Sequence, residues 1–284
     1  SIRSFRQTLD QKMVEASLEA PENGSLYADA YSGYADITIS RDSASAQVRA
    51  VGVGGNYFLF HPLTLLSGNY ISEDDLMQDW VVLDEETAWQ LFGGTDVAGL
   101  EVSISGQPFQ VAGVISRETY FATKAAYTEV SGIYMSFSKL HELTDAGILW
   151  YEVVMPDPID GFALGVVKDN FNLGNGDVVD NTRRYDTDHL LKVATSFAHR
   201  SMRLNGVLYP YWENAARLTE DDLALLLVLE LLLLFYPAVE ASILLVRWVI
   251  LGWRKLKKAL PAWVDKKEQE KREKEYAARG GERG

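Results

Sequence analysis

The chain has 284 residues, 47% apolar and 24% charged, a balance that fits one large globular domain or two ordinary ones and excludes a disordered chain. Asp and Glu number 40 against 27 Lys and Arg, so the net charge is −13, and no basic stripe on the main body suits nucleic acid. Cysteine is absent, which excludes disulfide frameworks, thiolate zinc sites and cysteine nucleophiles together.

Taken in chain order, Ser1–Ala20 reads as a helix, with Ile2, Phe5, Leu9, Met13, Val14 and Leu18 at helical spacing. No signal peptide or N-terminal span is visible. Residues 1–20 are therefore expected to continue a missing N-terminal membrane helix or follow an upstream export signal. Ala35–Ser40 and Ala46–Gly54 alternate as half-buried strands. Trp80–Leu83 is a short apolar strand, and Glu85–Phe92 a helix that stops at Gly93. Leu100–Ser105 and Phe109–Ile115 flank Gly106-Gln107-Pro108 as a hairpin. Gly132–Ser136, Leu149–Met155 and Asp177–Asp180 read as strands. They lead into helices Ser138–Leu143, Pro158–Phe171 and Asp186–Arg203. A β-rich first half and a strand-then-helix second half predict an α+β domain over 21–208, two-lobed, with a mixed β-sheet and packed helices.

The charge divides unevenly. Residues 247–284 hold 12 basic and 6 acidic groups, so the remainder carries −19. Between them lies Leu223–Val246, with 11 Leu and 3 Val in 24 residues. As a helix it measures roughly 36 Å, enough for a hydrocarbon core of about 30 Å. Its apolar residues favour insertion by roughly 5–10 kcal/mol, against about 2.5–3.5 kcal/mol for an acidic residue at mid-helix. Thr219 is expected to cap its start. Tyr209, Tyr211 and Trp212 at one end and Trp248 and Trp253 at the other read as interfacial aromatics, followed by Arg254, Lys255, Lys257 and Lys258. The positive-inside rule then predicts an interfacial segment and span over 209–253, a basic cytoplasmic tail over 254–284 and an acidic body outside the membrane; beyond Pro261 the charge mixture reads as a solvated helix that frays into a disordered end. Arg254–Lys258 would be drawn to anionic headgroups. A buried helix of a soluble protein is the competing reading. Within the span, Glu230, Pro237 and Glu240 are the candidate intramembrane helix contacts. An ionisable group at Glu230 calls for a neighbouring helix, or else sits protonated in a simple anchor; Pro237 can kink the span.

Chemical motifs are sparse. Gly52-Val53-Gly54-Gly55 tempts a dinucleotide reading, but the third glycine of G-x-G-x-x-G would fall on Tyr57. No phosphate loop occurs. His61, His141, His189 and His199 form no H-E-x-x-H pattern, and no serine sits in a G-x-S-x-G elbow. The acidic turns at Glu73, Asp74, Asp75 and Asp79 and at Asp177, Asp180, Asp186 and Asp188 lack Ca²⁺-loop spacing and read as solvated loops. No catalytic residue, cofactor site or metal site is expected, and the chain is not read as an enzyme.

Val51–Ile115 carries a series of features in order: an aromatic pair (Tyr57-Phe58), a leucine-rich step to a glycine (Leu65-Leu66-Ser67-Gly68) and an acidic turn (Glu73-Asp74-Asp75). A short valine strand, a helix ending in Leu91-Phe92-Gly93, then Gly99 and a hairpin closing on Val111-Ala112-Gly113-Val114 follow. This series resembles the MacB-like periplasmic core domain of ABC transporter permeases, in the FtsX-like permease superfamily. The resemblance implies a bacterial cytoplasmic-membrane protein with its main domain extracytoplasmic and its C-terminus cytoplasmic. It implies a cytoplasmic ABC ATPase as partner, with a permease subunit or a second copy of the chain, and a role coupling the outer domain to a transport or mechanotransmission complex. The family layout has three helices after the ectodomain, whereas one span is present here, so the chain is expected to be a reduced subunit. A stand-alone membrane-anchored binding or sensor protein is the alternative.

Overall fold

The computed structural model describes residues 1–22, 24–117, 132–171, 174, 176–201 and 210–280. The chain divides into two compact units, Ser1–Asp221 and Asp222–Gly284.

The first unit is built on a long antiparallel hairpin. Strands β1 (Ala28–Arg41) and β2 (Ala44–Gly55) pair from Ala30 opposite Gly55 to Arg41 opposite Ala44. Four further strands, β4 (Trp80–Asp84), β5 (Glu101–Ile104), β6 (Gln107–Ile115) and β7 (Gly132–Ser136), return the sheet to its start. β2 runs parallel to β7, β7 antiparallel to β4, β4 parallel to β6, β6 antiparallel to β5, and β5 antiparallel to β1. The pairings therefore form a closed ring. Two strands attach from outside it: β3 (Leu65–Gly68) on β6 and β8 (Trp150–Val154) on β1. This is the expected mixed sheet.

Every ring strand sends alternate residues into one core, as the period of two in a strand requires. Ile37 and Ile39, Val48 and Ala50, Val81 and Leu83, Val102 and Ile104, and Ile133 and Met135 all belong to it. Helices α3 (Glu85–Phe92) and α4 (Phe137–Thr144) add Ala88, Leu91 and Leu140. Burying each large aliphatic chain stabilises the fold by about 1.5–3 kcal/mol.

β6 would lose this alternation without a correction. Phe109 and Val111 point into the core, yet so does Val114. The pairing with β4 skips one residue, from Val81 opposite Val111 to Val82 opposite Gly113. Ala112 is thus the extra residue of a bulge, and the bulge resets the faces. Gly113 and Gly68 accommodate the crowding. A Cβ on Gly68 would stand 2.1 Å from the Ala112 carbonyl, and one on Gly113 2.6 Å from that of Asn69. The Val-Ala-Gly-Val and Leu-Leu-Ser-Gly motifs are two sides of one tight backbone crossing.

Several elements differ from expectation. The hairpin turn is Ser105-Gly106, both at positive φ, and Pro108 already lies in β6 opposite Ser103. Asp177–Asp180 is not a strand: the Asp180 carboxylate accepts the Thr182 amide at 2.9 Å, a local loop bond that competes with strand pairing. Helix α5 (Phe162–Asn170) starts late because Asp157 takes the Gly161 and Ala163 amides. The helix expected over Asp186–Arg203 breaks at Ser196 into α6 (Thr187–Thr195) and α7 (Phe197–Arg200). The first helix, α1, spans Ile2–Glu15 and buries Phe5, Leu9 and Met13.

The last helix, α8, runs over Tyr211–Gly280. It begins eight residues before Thr219, which caps nothing; its hydroxyl donates to the Ala215 carbonyl within the helix. Pro237 and Pro261 both lie inside α8, so helix continues past Pro261 as far as Gly280.

Candidate functional site

The densest chemistry in the first unit surrounds the opening turns of α8. Glu213, Arg217 and Glu220 recur at helical spacing and share one face. Arg184, in the loop before α6, forks onto Glu213 with bonds of 2.8 and 2.6 Å and gives its Nε to Glu220 at 2.6 Å. Asn181 accepts another Arg184 bond at 2.8 Å. Arg200 of α7 donates to the second Glu220 oxygen, and His189 of α6 lies 3.4 Å from the first. Arg217 bonds Glu213 at 2.7 Å, and Ser201 bonds Asp221 at 2.7 Å. Three guanidiniums thus meet two carboxylates.

The centre of this cluster is buried. The Arg184 side chain is 5% exposed and that of Glu220 1%. Burial pushes the Glu213 carboxyl up, but hydrogen bonds from Arg184 and Arg217 outweigh it and hold it below its ordinary value. Burial opposes the charge of Arg184 too, yet Glu213 and Glu220 keep its pKa above normal. Bidentate Arg–carboxylate geometry fixes direction as well as distance. The arrangement is a clamp that orients the root of α8 on the 181–201 segment. Its residues are held by one another.

Aromatic packing holds the other side of the root. Trp212 stacks on His61 with ring centres 4.0 Å apart and meets Tyr57 edge-on at 5.7 Å. His61, 6% exposed, bonds Glu152 of β8 at 2.5 Å. Tyr57, in α2 (Tyr57–Phe60), is buried in a second core with Val53, Leu63, Val82, Ile115 and Tyr134. Of the aromatic pair read in the sequence, Tyr57 thus meets the α8 root, while Phe58 stacks on Tyr70 with ring centres 4.5 Å apart.

A third cluster ties down α1. Arg6 forks onto Asp29 of β1 at 2.8 and 2.9 Å and reaches Glu73 at 3.2 Å. Tyr31 and Tyr151 donate to Glu73 and Asp29, each at 3.1 Å. Burial, with Glu73 nearby, pushes the Tyr31 phenol up to about 12. Phe5 packs edge-on against Tyr151 and Phe171. The acidic turn at Glu73 thus includes a structural partner of α1.

The residues predicted from sequence fall into three groups. Tyr211 and Trp212 pack into the aromatic seat. Tyr209 lies outside the described residues, as does the Lys258 side chain. Glu230, Pro237, Glu240, Trp248, Trp253, Arg254, Lys255 and Lys257 all lie on exposed parts of α8. Tyr236 donates to Glu240 one turn away, so Glu240 is paired within its own helix. Arg184, Arg200, Glu213, Glu220 and His61 escaped the sequence reading of the site. The spacing of Glu213, Arg217 and Glu220 was legible as a charged helix face; their loop partners were not. Among the described residues, no group of three or more His, Cys, Asp or Glu side chains is placed to hold a metal ion.

A sequence profile of the MacB-like periplasmic core domain matches residues 3–161, more than half of the chain. The chain belongs to this family. No curated protein matches it. Solved structures that resemble it include two ectodomains of ABC-type transporters. One is the extracellular domain of the noncanonic ABC-type transporter YknZ from Gram-positive bacteria, 16% identical, covering 56% of this chain and 75% of that one at a TM-score of 0.39. The other is the periplasmic region of MacB from Actinobacillus actinomycetemcomitans, 19% identical, covering 56% and 71% at a TM-score of 0.40. The MacB-like profile ends at residue 161, so the ion clamp on α8 lies beyond it. Part of α8, within Tyr211–Lys257, is long and apolar enough to cross a membrane. A MacB-like periplasmic domain together with such a helix makes this a membrane protein with an extracytoplasmic domain, of the ABC transporter permease type.

Proposed function

We propose that this chain couples the conformation of its extracytoplasmic domain to a membrane transport or mechanotransmission complex, and performs no chemistry itself. The observation that carries this reading is the clamp of Arg184 and Arg200 on Glu213 and Glu220, which grips the root of the apolar helix with directional, buried bonds. An anchor serving only to retain a domain has no need of such a grip. In this reading residues 1–20 continue an N-terminal membrane helix, 21–208 form the outer domain, 209–253 the interface and span, and 254–284 a cytoplasmic tail. The basic flank of Arg254, Lys255, Lys257 and Lys258 supports that orientation. ATP is hydrolysed by a cytoplasmic partner, and Glu230 meets another membrane helix, either the N-terminal one or that of a partner subunit.

The test is a gentle-detergent pull-down of the tagged protein from native membranes. A stoichiometric ABC ATPase is expected, with Glu230→Leu weakening its recovery. Recovery of this protein alone, under conditions where a control transporter keeps its ATPase, overturns the coupling role and leaves a stand-alone anchored binding or sensor protein.

A further inference from the structure

Past the apolar span, α8 changes character. On a helix of 3.6 residues per turn, Trp253, Leu256, Leu260, Trp263 and Val264 fall within an arc of about 100°. All five are exposed, and no other element covers them among the described residues. Arg254, Lys255 and Lys257 lie off that arc and are exposed as well. Lys257 lies 5.9 Å from the Trp253 ring centre and Lys267 4.4 Å from that of Trp263, so each large aromatic has a cation beside it. Beyond this stretch the helix becomes evenly mixed in charge, with five basic and five acidic residues over 265–275, and the apolar arc ends.

A narrow apolar arc, tryptophans within it and cations flanking it are the composition of a helix that lies in a membrane interface. We infer that residues 253–264 form an interfacial segment that binds anionic lipid headgroups, rather than projecting into water. The occupant is identified by two features. The segment follows a bilayer-length apolar stretch, so a lipid surface is at hand if α8 spans. Its cations are concentrated in the first turn and a half, where each Lys or Arg near an anionic surface strengthens attraction about fivefold. Pro261 lies inside the segment and removes one helical hydrogen bond, so a bend there is cheap. The inference rests on the membrane-spanning reading of α8 and extends it to a lipid preference.

The absence of native cysteine makes the test clean, because single cysteines can be introduced for spin labels. The full chain is reconstituted into neutral phosphatidylcholine vesicles and into vesicles with one-third phosphatidylglycerol. Labels are placed at Leu234→Cys in the span, Trp263→Cys in the arc and Asp265→Cys off it, and their exposure to apolar oxygen and a polar nickel chelate is compared. The Trp263→Cys label is expected to be lipid-embedded in anionic vesicles and several-fold more water-accessible in neutral ones, with Asp265→Cys wet in both. Converting Arg254, Lys255 and Lys257 to Gln should remove the difference. Water exposure of Trp263→Cys in both vesicles overturns the inference, as does equal embedding in both, which would make lipid charge irrelevant. Protection that appears only with other membrane proteins present overturns it in favour of a protein partner. A wet Leu234→Cys label sinks the spanning reading itself, a failure distinct from the other three.

Discussion

The ring core and the α8 root are held by opposite means. The ring places apolar residues from six strands around one centre, with Ile39, Leu83, Ile104 and Ile133 fully buried. The root buries charge instead, with Arg184 and Glu220 almost wholly removed from solvent. Apolar burial is non-directional and tolerates repacking. A buried ion cluster fixes geometry but adds little net stability, because desolvation cancels much of the attraction. The domain is thus stabilised in one place and oriented in another.

The comparison is broken most forcefully at Arg184. Arg184→Met leaves the Glu213 and Glu220 carboxylates facing each other with fewer partners, and should cost about 3–5 kcal/mol in denaturant melts of the detergent-solubilised chain. Adding Glu213→Gln should restore part of that loss, a recovery that packing alone does not predict. Ile133→Ala removes a fully buried side chain from the ring and should cost about 2–5 kcal/mol, with no rescue from any charge change.

Acid sharpens the contrast. The Glu213 carboxyl is held below its ordinary value of 4.5 in the folded protein. Its stabilising contribution is therefore complete above that pH and lost as the pH falls through the folded value. Melts repeated from pH 7 down to pH 3 should show the Arg184→Met penalty shrinking, while that of Ile133→Ala stays constant. The smallest effect belongs to Thr219→Ala. As an N-cap it would cost about 1 kcal/mol; at mid-helix, with its hydroxyl turned back to Ala215, the change should stay within about 0.5 kcal/mol.

These differences explain what the sequence disclosed. The strands of the ring were legible because their signals are local: alternation in β1 and β2, a helix stopped at Gly93, and a turn residue at Gly106; the closure of the ring was not, because it rests on pairings between strands distant in the chain. The ordered glycines and aromatics pointed to the family, and the backbone crossing at Gly68 and Gly113 shows why they stand where they do. The start of α8 was misplaced because Thr219-Glu220-Asp221-Asp222 mimics a cap. Nothing local shows that Glu220 instead answers Arg184, 36 residues earlier. Likewise, the place of Trp212 on His61 depends on two segments about 150 residues apart. Short-range pattern fixes elements, whereas long-range pairing of charges and rings fixes where the elements are tied.

The closed ring also governs which parts of the domain can open. Each of its six strands is paired on both sides, so no amide in their shared stretches can be released without opening the ring. β3 and β8 hang outside it, each with a single partner strand, and can peel away while the ring stays whole. Hydrogen exchange should therefore separate two tiers, with ring amides exchanging through global unfolding and those of β3 and β8 through cheaper local openings. β8 carries Glu152, the partner of His61 beneath Trp212. One of the two strands that can open locally therefore holds a side chain under the aromatic seat, so opening of β8 would release Glu152 from His61 while the ring stays closed.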